Sequence, residues 1–332
     1  MPLLSVSHLS VEYRLPAHGA YRAQGGYLKV VDDVSFALEP GEILGLVGES
    51  GAGKNVACRA ILRLLPGAHG RIASGRVDFA GRDIARLPER ELRAYRGRQI
   101  AMVFQDPLAH LDPIMPLGEQ IAETVQFHEG LARAEARRRA AQLLALVGAP
   151  DPQPLLDPFP GRLSPANQHR AMIALALACG PKLLIVDEPT RGIDISQQAQ
   201  ILRMLLDLRD RSGMAVILVT SDLGAMAQIC DSVSVMYAGR IVERATKTEL
   251  LTDPIHPYSK GLIASRPDGI APGETLHPIA GPSPSPGDLV RGCRFESRCP
   301  YAEDACRFGD TQLIEISSWR ATSCRRWQAL AS

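Results

Sequence analysis

No stretch of this sequence runs to the roughly 18 uninterrupted apolar residues that a membrane-spanning helix needs. The nearest approach, AMIALALACGPKLLIVD, is broken by Cys179-Gly180-Pro181-Lys182. The opening MPLLSVSHLSVEYRL lacks the basic region and apolar block of a signal peptide, so a cytoplasmic chain that does not span a membrane by itself is expected. Charge of one sign is missing as well. Lys and Arg total 37 against 36 Asp and Glu, a net charge of +1, which gives nucleic-acid binding no compositional support. There is no internal repeat. What is present is ordinary for a soluble globular protein: 332 residues, 45% hydrophobic and 22% charged, enough for two domains or one large domain with an appendage.

The order of the pieces points to a doubly wound α/β core. LLSVSHLSVEY and KVVDDVSFALEPGEILGLVG alternate as short strands joined by turns, and SGRVDFAGRDI reads as a hairpin. A helix is expected from Asn55 to Leu65, and helical pattern runs from Leu117 to Gly148. Within it Ala136, Ala140, Leu143, Leu144 and Val147 share one face, while Arg133 and Arg137 to Arg139 form a solvated one. RQIAMVFQ, KLLIVDEP and AVILVTSD read as strands of the buried parallel kind, with the helix DISQQAQILRMLLDLRDRSG between the last two. Ser164 followed by Pro165 is a serine N-cap with proline at the first helical position. From about residue 246 the character changes, and the proline-rich GPSPSPGD precedes a cysteine cluster.

Three features carry chemistry. GESGAGKN, Gly48-Glu49-Ser50-Gly51-Ala52-Gly53-Lys54-Asn55, follows a strand and opens a helix, the setting in which G-x-x-x-x-G-K-[ST] binds phosphate. Glycines turn successive backbone N–H groups inward around phosphate oxygens, the helix adds its positive end, and Lys54 reaches the β- and γ-phosphates. LLIVDEP ends an apolar strand in Asp187, fit to hold Mg²⁺ through water, with Glu188 beside it to polarise an attacking water. Gln105 in VFQDP ends another strand, where it would meet the metal or the water.

VGESGAGK, FQDPLAHLDP, GEQIAE, KLLIVDEPT, AQIL, SDLG and MYAGRIVE, in this order, resemble the ATP-binding subunits of ABC transporters. HPYSKGL and GCRFESRCPYAEDAC resemble the dipeptide/oligopeptide importer branch in particular. The resemblance implies a P-loop NTPase fold with an antiparallel β-subdomain and a helical subdomain at about 90–165. It places an ATP-binding domain at 1–245, and at 246–332 a small, irregular C-terminal extension with the cysteine cluster. It also implies ATP and Mg²⁺ as ligands, with Mg²⁺ held through Asn55, Gln105 and Asp187. Tyr13 would stack on adenine, and Ser164 would reach across a head-to-tail dimer to the partner's γ-phosphate. The implied partners are a second ATPase subunit, two transmembrane permease subunits and an extracytoplasmic solute-binding protein, with no nucleic acid. The implied place is peripheral, on the cytoplasmic face of the inner membrane. Gln105 and the loop to Met115 would face the permeases.

The chain departs from that family at separated positions. Pro165 and Ala166 replace two glycines after Ser164, and proline removes an N–H while both side chains limit close approach. Asn55 replaces the hydroxyl residue that ligates Mg²⁺, Ser221 replaces a histidine that contacts the γ-phosphate, and RGID differs from the usual stretch before Asp194. Losing one well-placed transition-state donor costs about 10²–10³ in rate. The expectation is therefore the weakly hydrolysing half of an asymmetric heterodimer. The alternatives are a regulatory module that binds ATP without turnover and a soluble ABC ATPase outside transport.

Seven cysteines divide into two groups. Cys58, Cys179 and Cys230 are scattered among apolar residues and read as buried thiols. Cys293-x5-Cys299-x6-Cys306-x17-Cys324 lacks the short knuckles of structural zinc, and its long spacings suit a [4Fe–4S] cluster such as related importer tails resemble. Zinc and free or paired thiols stay open beside it. A cluster there would act as a staple for a core-poor tail.

Overall fold

Strands and helices are interspersed along the chain. The strands are β1 (Leu4–Arg14), β2 (Tyr27–Leu38), β3 (Ile43–Val47), β4 (Gly70–Phe79), β5 (Arg82–Asp83), β6 (Ile100–Val103), β7 (Leu183–Asp187), β8 (Ala215–Thr220), β9 (Ser232–Tyr237), β10 (Arg240–Thr246), β11 (Ile314–Glu315) and β12 (Ala321–Thr322). The helices are α1 (Lys54–Ile61), α2 (Glu89–Leu92), α3 (Pro107–His110), α4 (Leu117–Glu129), α5 (Arg133–Leu146), α6 (Pro165–Ala176), α7 (Ile195–Ser212), α8 (Leu223–Ile229), α9 (Lys247–Thr252), α10 (Pro257–Ala264) and α11 (Trp327–Leu330). The computed structural model describes residues 1–14, 26–266, 278–285, 292–309 and 311–330; residues 286–288 of the proline-rich stretch lie outside these. The chain forms two units, one of Met1–Glu39, Leu44–Arg86 and Thr220–Ser332, the other of Pro40–Ile43 and Leu87–Val219.

In the first unit β2-β1-β4-β5 form an antiparallel sheet. Alternation puts Leu4, Val6, Phe36, Val77 and Phe79 into the core, with Leu4 paired to both Leu38 and Phe79. A second run of strands is ordered β11-β12-β10-β9-β3. Its β9–β10 hairpin turns on Ala238 and Gly239, both at positive φ (48° and 88°), the backbone a two-residue hairpin of matching twist demands. The hairpin expected in SGRVDFAGRDI is β4–β5, which turns on Ala80 and Gly81 in the same way. The helix expected to reach Leu65 stops at Ile61, because Arg63 takes a left-handed conformation (φ 52°) that no helix continues through.

The second unit carries the parallel strands β8-β7-β6, every residue of which is buried, as near-continuous apolar runs require. The helical stretch from Leu117 to Gly148 is two helices, separated at Gly130 (φ 71°). The face of α5 read from the sequence is buried: Ala136, Ala140, Leu143, Leu144 and Val147 are at most 1% exposed. Its arginines are not all idle. Arg133 and Arg137 both reach Glu119, and Arg137 also pairs with Asp157. Ser164 caps α6, with Pro165 at its first position, and α7 runs from the Asp194 cap to Gly213 (φ 68°).

The residues beyond 246 are held by more than their own few contacts. Tyr258 and Phe295 pack with Tyr237 of β9 at ring separations of 4.5 to 5.4 Å, and all three are at most 2% exposed. Arg294 pairs with Asp32, Arg320 with Asp253, and β12 adds to the edge of β10. The buried Glu243 carboxylate accepts the N–H groups of Ile255 and His256 at 2.9 and 2.8 Å. This packing answers the expectation of a metal staple. Cys293, Cys299, Cys306 and Cys324 line one small cavity as free thiols. Among the described residues, however, no group of three or more His, Cys, Asp or Glu side chains stands where it could hold a metal ion. Burial pushes the Cys293 thiol up to about 11. The [4Fe–4S] assignment to these four cysteines is therefore corrected, and the extension is no cysteine-bound metal module but an aromatic and ion-paired one. Of the scattered cysteines, Cys58 and Cys230 are fully buried and Cys179 only partly.

His256 N-caps α10, its Nδ1 accepting the N–H of Tyr258 at 3.1 Å, and complete burial pushes its pKa down to about 3. Below its ordinary value of 6.5 the unfolded chain takes up a proton that the folded one refuses, so stability is complete above about pH 6.5 and falls as the pH drops toward 3. Between pH 7 and 5.5 the wild type should lose about 1 kcal/mol more unfolding free energy than His256→Asn, which keeps a capping acceptor. Urea titrations at the two pH values measure it, and equal losses would refute the burial.

Candidate functional site

Strand β3 ends at Val47, and the loop Gly48–Asn55 must turn at once into α1. Gly48 sits at φ 149°, and a Cβ there would lie 2.1 Å from the Met236 carbonyl oxygen, so only glycine fits. Gly53, at φ 100°, is the N-cap of α1, and a Cβ on it would meet Met236 Cε at 2.9 Å and Val30 O at 3.0 Å. Ser50 and Gly51, at the tip, are exposed, and Gly51 (φ 83°) has open space where its side chain would be. Ala52 is buried, donates its N–H to Glu49 O at 3.2 Å, and accepts from Gly239 N at 2.8 Å.

Lys54, 4% exposed, folds back over the loop. Its Nζ donates to Gly48 O at 2.7 Å and Glu49 O at 3.0 Å, which holds the ammonium at the mouth of the cradle. No acidic residue stands in the first turn of α1 itself. The loop thus combines a charged donor, glycine-enforced curvature and a helix start, the requirements of a polyphosphate site. Asn55 is the second residue of α1 and half-buried. Tyr13, half-buried on β1, lies close to Gly70 and within the field of Arg59 on α1. Burial raises its hydroxyl pKa, which Arg59 partly offsets. Ser221 is exposed just before α8, which is capped by Asp222.

The other unit gathers the acidic pair. Asp187, fully buried, ends β7, and Glu188 follows at φ 46°, with its N–H donated to Val219 O at 2.8 Å. A left-handed glutamate costs about 1–2 kcal/mol and marks the turn as held by its surroundings. Val103 of β6 pairs with Val186 of β7, so Gln105 emerges beyond the same end of the parallel strands as Asp187 and Glu188. Ser164 is exposed at the start of α6, with its Oγ 3.4 Å from Asn167 N. Pro165 is exposed too, but Ala166 is 1% exposed, so its methyl is on the packed side of α6 and only Pro165 alters the outer surface.

Sequence reasoning missed two supports. Gln120 ties the loop before α4, accepting from Asp112 N and donating to Asp112 O and Met115 O at 2.8 to 3.0 Å. Glu49 is held by Tyr258, Ser283 and Arg298. HPYSKGL and GCRFESRCPYAEDAC contain two of these residues, yet nothing in sequence spacing links them to a loop some 200 residues earlier.

Comparison with known proteins agrees with this geometry. The ABC transporter family model matches residues 31–191, and the model of the oligopeptide/dipeptide transporter C-terminal region matches 242–306. The chain is 47% identical to a probable peptide ABC transporter ATP-binding protein of Sinorhizobium fredii, over 92% of this chain and 89% of that one. It is 39% identical to the dipeptide transport ATP-binding protein DppD of Escherichia coli, over 98% and 96% of the two chains. Its fold resembles the dimeric structure of MJ0796, a bacterial ABC transporter cassette, with a TM-score of 0.64 at 22% identity, covering 74% of this chain and 98% of that one.

Gly48→Ala should be far more damaging than Gly51→Ala. The first drives a methyl into the Met236 carbonyl and should cost more than about 2 kcal/mol, while the second pays only the left-handed strain of about 1 kcal/mol. Urea denaturation of both variants measures this, and equal stability would refute the tight turn.

Proposed function

The chain belongs to the ATP-binding subunits of ABC transporters, and on that premise we propose that it powers uptake of a peptide or similar small solute. In this reading it is the weakly hydrolysing half of an asymmetric ATPase pair. The cradle at Gly48–Lys54 carries the proposal: curvature that only glycine permits, closed by a lysine ammonium. ATP phosphates would take the place of the two loop carbonyls now bonded to Lys54. Tyr13, on the strand beside α1, would pack on the adenine.

The donor set suits Mg²⁺. Asp187 offers a carboxylate, and Asn55 and Gln105 offer amide oxygens, hard ligands of the sort this ion takes beside phosphate oxygens and water. When bound, Mg²⁺ would neutralise charge on the phosphates. The rest falls to this chain's own groups. Glu188 would orient and deprotonate the attacking water, its direction fixed by the constrained backbone at φ 46°. Ser221 is too short for the contact a histidine would make. Ser164, exposed at the start of α6, would face a nucleotide held by the partner, where Pro165 brings no N–H.

The same surface logic supports the partners. Leu108 and Ile114 stand out at 49% and 84% exposure in the stretch that follows Gln105, and Phe127 at 83% toward the end of α4. They would meet two permease subunits that carry the membrane path, since no helix among the described residues is long and apolar enough to cross. A solute-binding protein outside would deliver the cargo, and this chain would lie peripherally on the cytoplasmic face of the inner membrane. The residues 1–245 would form the ATP-binding domain and 246–332 the extension. Asn55, Pro165 and Ser221 also support a second reading, a subunit that binds ATP and never turns it over.

Purified alone, the chain should bind ATP saturably, lose that binding in Lys54→Ala, and hydrolyse about 10²–10³ times more slowly than when mixed with an intact second ATPase. Radiolabelled ATP binding and phosphate release measure both. Rapid hydrolysis by the isolated chain would sink the asymmetric pair, no gain on mixing would favour pure binding, and absence of saturable binding would end the whole reading.

A further inference from the structure

Glu49 is the one acidic residue of the phosphate loop, and it lies next to the glycine that the turn requires. A free carboxylate there would compete for the Lys54 ammonium and repel an incoming triphosphate. The structure disposes of it. Arg298 donates to both oxygens, Nη1 to Oε2 at 2.9 Å and Nη2 to Oε1 at 3.1 Å, and the Ser283 hydroxyl donates to Oε2 as well. This two-pronged pair is sheltered, with side chains 6% exposed for Arg298 and 24% for Glu49. The guanidinium is itself fixed: Nε donates to Ala280 O at 2.9 Å, Nη1 reaches Tyr237 Oη at 3.3 Å, and its carbon lies 5.8 and 5.9 Å from the ring centres of Tyr237 and Phe295.

The main chain of the same residue is held from the same side. Glu49 N–H donates to Tyr258 Oη at 2.8 Å, and Tyr258 is fully buried between Tyr237 and Phe295. That amide is thereby turned away from the cradle, leaving the N–H groups farther along the loop to meet phosphate. Burial opposes ionisation of Glu49, but the hydrogen bonds from Arg298 and Ser283 and the charges of Arg298 and Lys54 outweigh it and hold the carboxyl below its usual range. Burial likewise keeps the Tyr258 phenol neutral.

We propose that Tyr258 and Arg298, both from the segment beyond the ATP-binding fold, are positioning residues for the phosphate loop, neutralising and turning aside Glu49 so that its carboxylate does not compete with ATP for Lys54. The extension is thus a working part of the nucleotide site. This inference rests on the reading of Gly48–Lys54 as an ATP cradle.

The test is ATP affinity, measured by titration of the full chain with a fluorescent ATP analogue, beside the melting temperature without nucleotide. Arg298→Gln should weaken binding about tenfold, because it leaves Glu49 charged and free to engage Lys54. Glu49→Gln/Arg298→Gln should return affinity to within about threefold of wild type, because no stray carboxylate remains. Arg298→Lys, which keeps charge without the fork, should fall between. A merely structural role gives a different pattern, with a lowered melting temperature and no rescue in the double variant. Unchanged affinity in Arg298→Gln, or failure of the second change to restore it, would overturn the proposal. Should Arg298→Gln not fold, Tyr258→Phe, which loses one hydroxyl, carries the test: it should weaken binding several-fold, and wild-type affinity would overturn the proposal. Absence of ATP binding by the wild type would instead strike the cradle reading, so the two failures are distinguishable.

Discussion

The first unit turns on a place where there is no room for a side chain. Gly48 passes so close to the Met236 carbonyl that the end of β3 and the end of β9 set one another's position. From that contact the order spreads. Gly239, in the turn after β9, donates to Ala52 of the loop and accepts from Asp32 of β2. Asp32 in turn receives Arg240 and Arg294. Strand pairing, the hairpin turn and the loop are therefore one set of mutually required positions. A cradle fixed in this way meets its ligand with little reorganisation, which is what electrostatic recognition of a polyphosphate rewards.

Much of this was legible in the residues. Alternation placed β1, continuous apolar runs placed β7 and β8 with the helix α7 between them, a 3.6-residue period placed α5, and capping chemistry placed the start of α6 at Ser164. The loop from Gly48 to Asn55 could be read because its chemistry is local: glycines, lysine and helix lie within eight consecutive positions. What stayed hidden was long-range. The grip of Tyr258 and Arg298 on Glu49 joins residues 209 and 249 positions apart, and no periodicity encodes such a meeting. Helix ends were missed for a related reason. The stop at Ile61 follows from a left-handed Arg63, a residue whose type gives no warning.

The cysteine tail shows how a count of like residues misleads when the packing around them is unknown. Four thiols in a short, proline-rich tail looked like a segment unable to build a core and in need of a metal. The segment does build one, but from aromatics it shares with β9 and from arginines paired with Asp32, Glu49 and Asp253. With that anchorage a metal staple has nothing left to explain. The four thiols sit in an apolar cavity, where burial favours the protonated form of Cys293, Cys299 and Cys324.

The departures that the family resemblance implies sit at positions of differing burial. Lys54 and Asp187, kept, are buried at strand or loop ends where a change would leave a hole or a stranded charge. Asn55 is half-buried, and Pro165 and Ser221 are exposed, so each can differ at little expense to folding. Ala166, the one altered residue inside the packing, is also the smallest possible change from glycine. A chain under pressure only to stay folded and hold nucleotide would retain the first set and tolerate the second. On the reading proposed above, a retained cradle together with altered Asn55, Pro165 and Ser221 would suit a subunit that binds ATP more than it turns it over.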